Sequence, residues 1–178
     1  MRRVAAALPV LSLADWTVLG VVAEEPTHGW AVTRELDANG ALGRVWTVPR
    51  PLVYRSLATL ASKGLIEDCG EAPGARGPQR TIVRVTPRGR AALRRWLETP
   101  VGHVRDVRSE LLVKLALLDR AGRPREELVQ RQLEQLAPVF AALRKRRRDG
   151  GFDDVLAAWR RESALAVRRF LETLARPR

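Results

Sequence analysis

The strongest constraint on the fold is an order of elements between residues 49 and 85. An amphipathic helix stops at a glycine, and two short β-type runs follow it around a loop rich in glycine, proline and arginine. The helix is read over Pro49–Gly64, PRPLVYRSLATLASKG. Leu52, Val53, Leu57, Leu60 and Ala61 recur at helical spacing and share one face. Tyr54, Arg55, Thr59 and Lys63 fall largely off that stripe, where side chains can meet phosphates and base edges. Pro49 and Pro51 stand at the first turn, whose N–H groups lack helical partners. Gly64 is the usual C-terminal stop. Taken alone, such a stripe describes any surface helix.

The residues that follow discriminate. Leu65–Cys69 reads as a strand, Gly70–Arg80 as a loop, and Thr81–Val85, with its β-branched residues, as a second strand. Two helices precede the stretch. Ser12–Glu25 is the first, with Ser12 as N-cap and Asp15 as the matching acid. Residues 26–29, Pro-Thr-His-Gly, read as a turn. The second helix spans about Trp30–Ala38, with Trp30, Val32, Thr33 and Leu36 inward, and Asn39-Gly40 breaks it. Ala41–Val48 is a linker, with a short extended piece through Val45 and Trp46.

Helix, helix, helix, strand, basic loop, strand is the order of a winged helix-turn-helix. In that architecture the third helix enters the major groove. The hairpin lies beside it, and its arginines reach the sugar-phosphate backbone or the minor groove. The candidate DNA contacts are Arg50, Leu52, Tyr54, Arg55, Thr59 and Lys63 on the helix, and Arg76, Gln79 and Arg80 on the loop. Arginine to guanine is the commonest specific pairing, which singles out Arg50 and Arg55. The competing reading of these side chains is an exposed, salt-bridged or merely solvated surface.

Beyond the hairpin the chain reads as helical, so the fold class is mainly α. Thr86 caps a helix that begins at Pro87 and runs to about Thr99, with Ala91, Ala92, Leu93, Trp96 and Leu97 as its apolar set. Val101–Arg105 is a connector, and Asp106–Asp119 is a helix with Leu111, Leu112, Leu115 and Leu118 inward. Pro124 to about Arg147 is a long helix interrupted by Pro138, which should kink it. Phe152–Ala175 is the last helix, with Phe152, Val155, Leu156, Trp159, Ala166, Phe170, Leu171 and Leu174 as its stripe. Two helices are too few to bury both stripes, so a second copy of the hairpin is the expected cover. The chain therefore divides into a winged-helix DNA-binding domain, residues 1–99, and a helical dimerisation and effector region, residues 100–178.

Charge supports this reading only modestly. The formal net charge is +12, a field that attracts polyanions. Lysine occurs only at 63, 114 and 145, however, and an arginine-rich, alanine-rich composition also follows from a GC-rich gene. The run Arg144–Arg148 reads as a solvated helix end rather than a DNA contact.

The chain resembles the PadR family of transcriptional regulators, named for the phenolic acid decarboxylase repressor. The pieces that carry the resemblance are LADWTVLGVVAEEPTHGW (13–30), VYRSLATLASKGLIE (53–67), VRVTPRGRAALRRWL (83–97) and RSELLVKLALL (108–118). The resemblance implies that Tyr54 touches phosphate or sugar, and that the two-helix tail pairs protomers as in the larger members. It also implies that some relatives bind flat aromatic effectors. Trp16, Phe140 and Trp159 are the candidates here for an effector pocket or a dimer core. The chain departs from the family pattern at Trp30, at Val83, and at Pro49–Leu52, where a serine or threonine usually opens the recognition helix. A base preference of its own is expected at that last turn.

Several classes are disfavoured. No glycine-rich phosphate loop, paired histidines or activated nucleophile marks an enzyme. His28, His103 and Cys69 lack metal-ligand spacing, and no cofactor is implied. No apolar run is long enough to span a membrane. The apolar N-terminal run is short and broken by Pro9, which argues against a signal peptide. The single cysteine agrees with a reducing cytoplasm. The expected function is a homodimeric, ligand-responsive repressor on a palindromic operator. The alternatives are a sequence-tolerant architectural DNA-binding protein and an adaptor that kept the fold without DNA binding.

Overall fold

The computed structural model describes residues 7–74, 77–142 and 151–176, and their side chains apart from those of 72–78. The chain separates into two compact units, residues 1–97 and 98–178.

In the first unit, α1 (Leu13–Val22), α2 (Gly29–Leu36) and α3 (Arg50–Ser62) precede a hairpin of β1 (Ile66–Gly74) and β2 (Gly77–Val85), and α4 (Pro87–Glu98) follows. The capping box at the start of α1 forms as its sequence predicts. Ser12 Oγ accepts the Asp15 N–H (3.1 Å), and Asp15 accepts the Ser12 N–H (2.9 Å). α1 is buried nearly all round, including Val18, Leu19 and Val22. Trp16 stacks on Trp96 of α4 with ring centroids 5.0 Å apart and planes within 4°. Such a pair adds about 0.5–1.5 kcal/mol beyond its area burial.

The linker before α3 differs from its expected form. Instead of an extended piece at Val45 and Trp46, the chain turns back on α2. Leu42 and Gly43 N–H groups bond to the Glu35 carbonyl, and Val48 N–H bonds to that of Leu36. These bonds satisfy the C-terminal carbonyls of α2 and let Leu42 and Val48 enter the core.

The wing is longer than the sequence suggests. Both strands run through most of the stretch read as a loop, pairing antiparallel from Ile66↔Val85 out to Gly74↔Gly77. The register breaks between Ala72 and Gly74, at Pro73, where a residue without an N–H costs the ladder nothing. A second difference lies upstream. Thr27 pairs with Val83 through two backbone bonds (3.0 and 2.8 Å), so part of the expected turn is a bridge that flanks β2.

Thr86 joins the end of α3 to the start of α4. Its hydroxyl donates to the Gly64 carbonyl (2.9 Å) and accepts the Gly89 N–H (3.0 Å). Gly64 ends α3 with φ 65°, and a Cβ at Gly89 would collide with the Leu65 carbonyl oxygen. The spacing Thr86-x-x-Gly89 thus follows from one tight junction. Ala91, expected inward on α4, is exposed, while Ala92, Leu93, Trp96 and Leu97 are buried.

In the second unit, α5 (Val104–Asp106), a π-helical stretch (Val107–Leu111) and α6 (Leu112–Arg120) follow one another. Leu111 and Leu118 are buried as expected, together with Val113, Lys114 and Leu117, whereas Leu112 and Leu115, also expected inward, are half-buried. Lys114 Nζ, fully buried, bonds to the Thr99 carbonyl (2.7 Å) and to Glu110 (2.7 Å). Gln132, also buried, accepts the Val101 N–H (2.7 Å) and donates to its carbonyl (2.9 Å).

α7 (Glu126–Ala142), which contains Pro138, packs on α8 (Phe152–Ala175) as a helical hairpin. Leu143 and Arg144–Arg148 lie outside the described residues. α8 has the expected bounds, and most of its stripe has no cover within the chain. Ala164 and Leu171 are covered, whereas Phe152 (76%), Val155 (62%) and Trp159 (71%) stand open. Among the described residues, no helix is long and apolar enough to cross a membrane.

Candidate nucleic-acid interface

The exposed side of the winged-helix unit is built on α3. Val53, Ser56 and Leu60 are its buried residues. Leu52 and Leu57, expected in the core, are only half-buried, and Ala61 is exposed. The helix is held along a narrower line than its apolar pattern implies, because the wing stands off its C-terminal half and leaves a cleft. That cleft has a volume of about 610 Å³ and an apolar floor of Leu57, Ala58, Ala61, Ile66 and Val83.

The rim carries the polar groups. Of the sequence candidates, Arg50, Tyr54, Gln79 and Arg80 come together there. Arg55 and Lys63 are exposed on α3 but do not line the cleft, and neither do the half-buried Leu52 and Thr59. Arg76 lies outside the described residues. α3 starts without a side-chain cap, as Pro49–Leu52 suggests. Pro49 is its N-cap residue, and the Leu52 and Val53 N–H groups bond to the Pro49 carbonyl (2.9 and 3.1 Å).

Two rim residues, His28 and Trp30, were not legible as such, nor was Arg34, which stands against Trp30 outside the cleft lining. His28 caps α2, its Nδ1 accepting the Ala31 N–H at 3.1 Å. A neutral imidazole bonded this way carries its hydrogen on Nε2. Arg80 can only donate, so its 3.4 Å approach to Nε2 is packing rather than a hydrogen bond. Trp30, expected inward, is 43% exposed. It lies two residues, about 200° of helical turn, from the buried Val32, so the two cannot share a face. Arg34 completes the group, with its guanidinium 5.0 Å from the Trp30 ring centroid. Arg80 lies 5.2 Å from the same centroid, and Arg50 sits 5.7 Å from that of Tyr54. A Cβ at Gly29 would fall 2.8 Å from the Tyr54 ring, so the absent side chain lets that ring lie against the first turn of α2.

The aromatic candidates part company. Trp16 is buried against Trp96 within the first unit and is not among the residues lining the α3 cleft. Trp159 lines a cleft of about 770 Å³ in the second unit, together with Val107, Leu112, Val139 and Phe170. Arg105, Arg108 and Arg160 add positive charge to that cleft. Phe140 is half-buried on α7 and is not among its lining residues. Cys69 is exposed on β1.

Three helices with a flanking two-stranded wing, and a third helix presenting arginine and tyrosine outward, define a DNA-binding winged helix. Residues 18–95, within the winged-helix unit, match the profile of the transcriptional regulator PadR-like family.

The chain is also similar in structure to Bacillus subtilis PadR in complex with operator DNA, at 16% identity and a TM-score of 0.46, covering 91% of this chain and 97% of that one. The same protein in complex with p-coumaric acid gives 16% identity and 0.45, covering 92% and 97%. A PadR-like transcriptional regulator from Bacillus cereus gives 18% and 0.41, covering 94% and 97%. No curated protein matches the sequence.

Proposed function

We propose that the protein is a sequence-specific transcriptional regulator that acts as a homodimeric repressor on a palindromic operator. The observation that carries this is the outward face of α3, where Arg50 and Tyr54 stand beside wing residue Arg80 on a winged helix that matches the profile of the PadR-like family. Arg50, Leu52, Tyr54, Arg55, Thr59 and Lys63 are the proposed contacts from α3, and Arg76, Gln79 and Arg80 those from the wing. Base edges are read from the N-terminal turn of α3, and the wing holds the backbone.

The exposed stripe Phe152, Val155, Trp159 supports the dimer, since an apolar face of that size on a lone helix needs a cover. Two copies would set two recognition helices about one helical turn apart. The cleft beside Trp159 is the proposed effector site. Its size and its apolar wall with cationic edges suit a small aromatic anion. Such a ligand acts only by binding two dimer states unequally.

The test is a salt titration against a selected operator and a scrambled duplex. A preference of about a thousandfold or more for the operator is expected. Equal affinity with the same salt slope would make the protein a sequence-tolerant architectural binder, and no binding at low salt would make it an adaptor. Arg50→Ala and Tyr54→Phe should each weaken operator binding in a folded protein. A thermal-shift screen of aromatic carboxylates tests the effector site, with Trp159→Ala as the control that loses the response.

A further inference from the structure

Among the described residues, arginines are held in two distinct ways. Arg84, Arg123, Arg131, Arg161 and Arg168 are each bonded to a carboxylate. Arg34, Arg50 and Arg80 have no carboxylate partner among the described residues. Each lies over an aromatic ring instead, at 5.0 to 5.7 Å from its centroid. A ring orients a guanidinium through its face. It leaves the in-plane N–H groups and the full positive charge available, whereas a carboxylate uses the edge and cancels the charge.

Trp30 is the centre of this arrangement. It takes Arg34 from its own helix and Arg80 from β2, 50 residues further along the chain. His28 closes the other side of Arg80 without accepting a hydrogen bond from it. Trp30 is not one of the buried core residues.

We infer that Trp30 is a positioning residue for DNA backbone binding: its indole aligns Arg80 of the wing and Arg34 of α2 with their donor edges free for phosphates. The inference rests on the DNA-binding reading above. Through it, an uncharged side chain fixes the direction of two charges. Holding the guanidinium beforehand removes part of the rotamer entropy that a long side chain loses on binding.

The experiment uses the full chain and a mixed-sequence duplex, so that no operator need be known. Affinity is measured across a salt series for the native protein, Trp30→Leu, Trp30→Tyr, Arg80→Ala and the double variant Trp30→Leu/Arg80→Ala. Thermal unfolding of each variant establishes that it is folded. Arg80→Ala should lower the slope of log K against log salt by about one. Trp30→Leu removes no charge, yet it should also lower the slope and weaken binding by about three- to tenfold. Trp30→Tyr keeps a ring face and should retain the native slope. The double variant should be weaker than Arg80→Ala by less than Trp30→Leu is weaker than the native chain.

An unchanged slope in Trp30→Leu, or strict additivity in the double variant, overturns the positioning role while leaving DNA binding intact. Failure of the native chain to bind any duplex overturns the DNA reading and this role with it. If Trp30→Leu does not fold, Trp30→Met, which also lacks a ring, takes its place: a lowered slope is expected, and an unchanged slope overturns the inference.

Discussion

Single side chains in this protein carry polar groups into places that water cannot reach. Ser56 lies on the buried line of α3, and its hydroxyl has no hydrogen-bond partner among the described residues. Its removal leaves no partner stranded. Ser56→Ala should therefore stabilise the fold by about 1 kcal/mol, seen as a higher denaturant midpoint at an unchanged m-value.

Lys114 is the opposite case, buried but bonded. Burial pushes its ammonium below the ordinary 10.5, and the hydrogen bond and charge of Glu110 oppose that shift. Between the lowered folded value and 10.5 the unfolded chain binds more protons than the folded one. The contribution of this group to stability thus rises with pH across that window and is flat below it. Lys114→Met should abolish the rise. Unfolding free energies of the two proteins, followed from neutral pH upward, should diverge in favour of the native chain, and parallel curves would contradict the assignment.

At the scale of elements, the junctions set the geometry more than the elements do. The end of α3 and the start of α4 share one hydroxyl, that of Thr86. Thr86→Ala loses the cap of α4 and the bond to the Gly64 carbonyl, so a cost of about 1–2 kcal/mol is expected. Thr86→Ser should restore most of it, as a melting comparison of the three proteins would reveal. In the second unit, Gln132 satisfies both backbone groups of Val101. Gln132→Leu should destabilise by several kcal/mol, on the order of 1–3 for each backbone group left buried and unbonded.

For the whole molecule, the open question is what covers α8. Phe152, Val155 and Trp159 lie at steps of three and four on one face, all largely exposed. The native chain should sediment as a dimer at micromolar concentration. Val155→Glu with Trp159→Glu should give a monomer of unchanged helical content that binds a palindromic operator at least tenfold more weakly. A native chain that sediments as a monomer would remove the role proposed for this face.

Much of this was legible in the sequence, because local rules act over a few residues. The Ser12–Asp15 capping box, the α3 stop at Gly64, the bounds of α8 and the winged-helix order all follow from propensity, capping and period. Burial was less legible, since a stripe says which residues could face a core but not how wide the core is. Hence Leu57 and Ala61 border an open cleft, and Trp30 stands at its rim. Beyond the π turn, Leu111 and Leu118 are buried as their spacing predicts, while Val113 and Lys114 are buried in place of Leu112 and Leu115. The sequence by itself determined most of the helices and the order of elements in the winged helix. Only the tertiary structure decided the pairing of Arg80 with Trp30, the bonded burial of Lys114 and the exposure of the α8 stripe. Each depends on groups far apart in the chain, or on a face that nothing in the same chain covers.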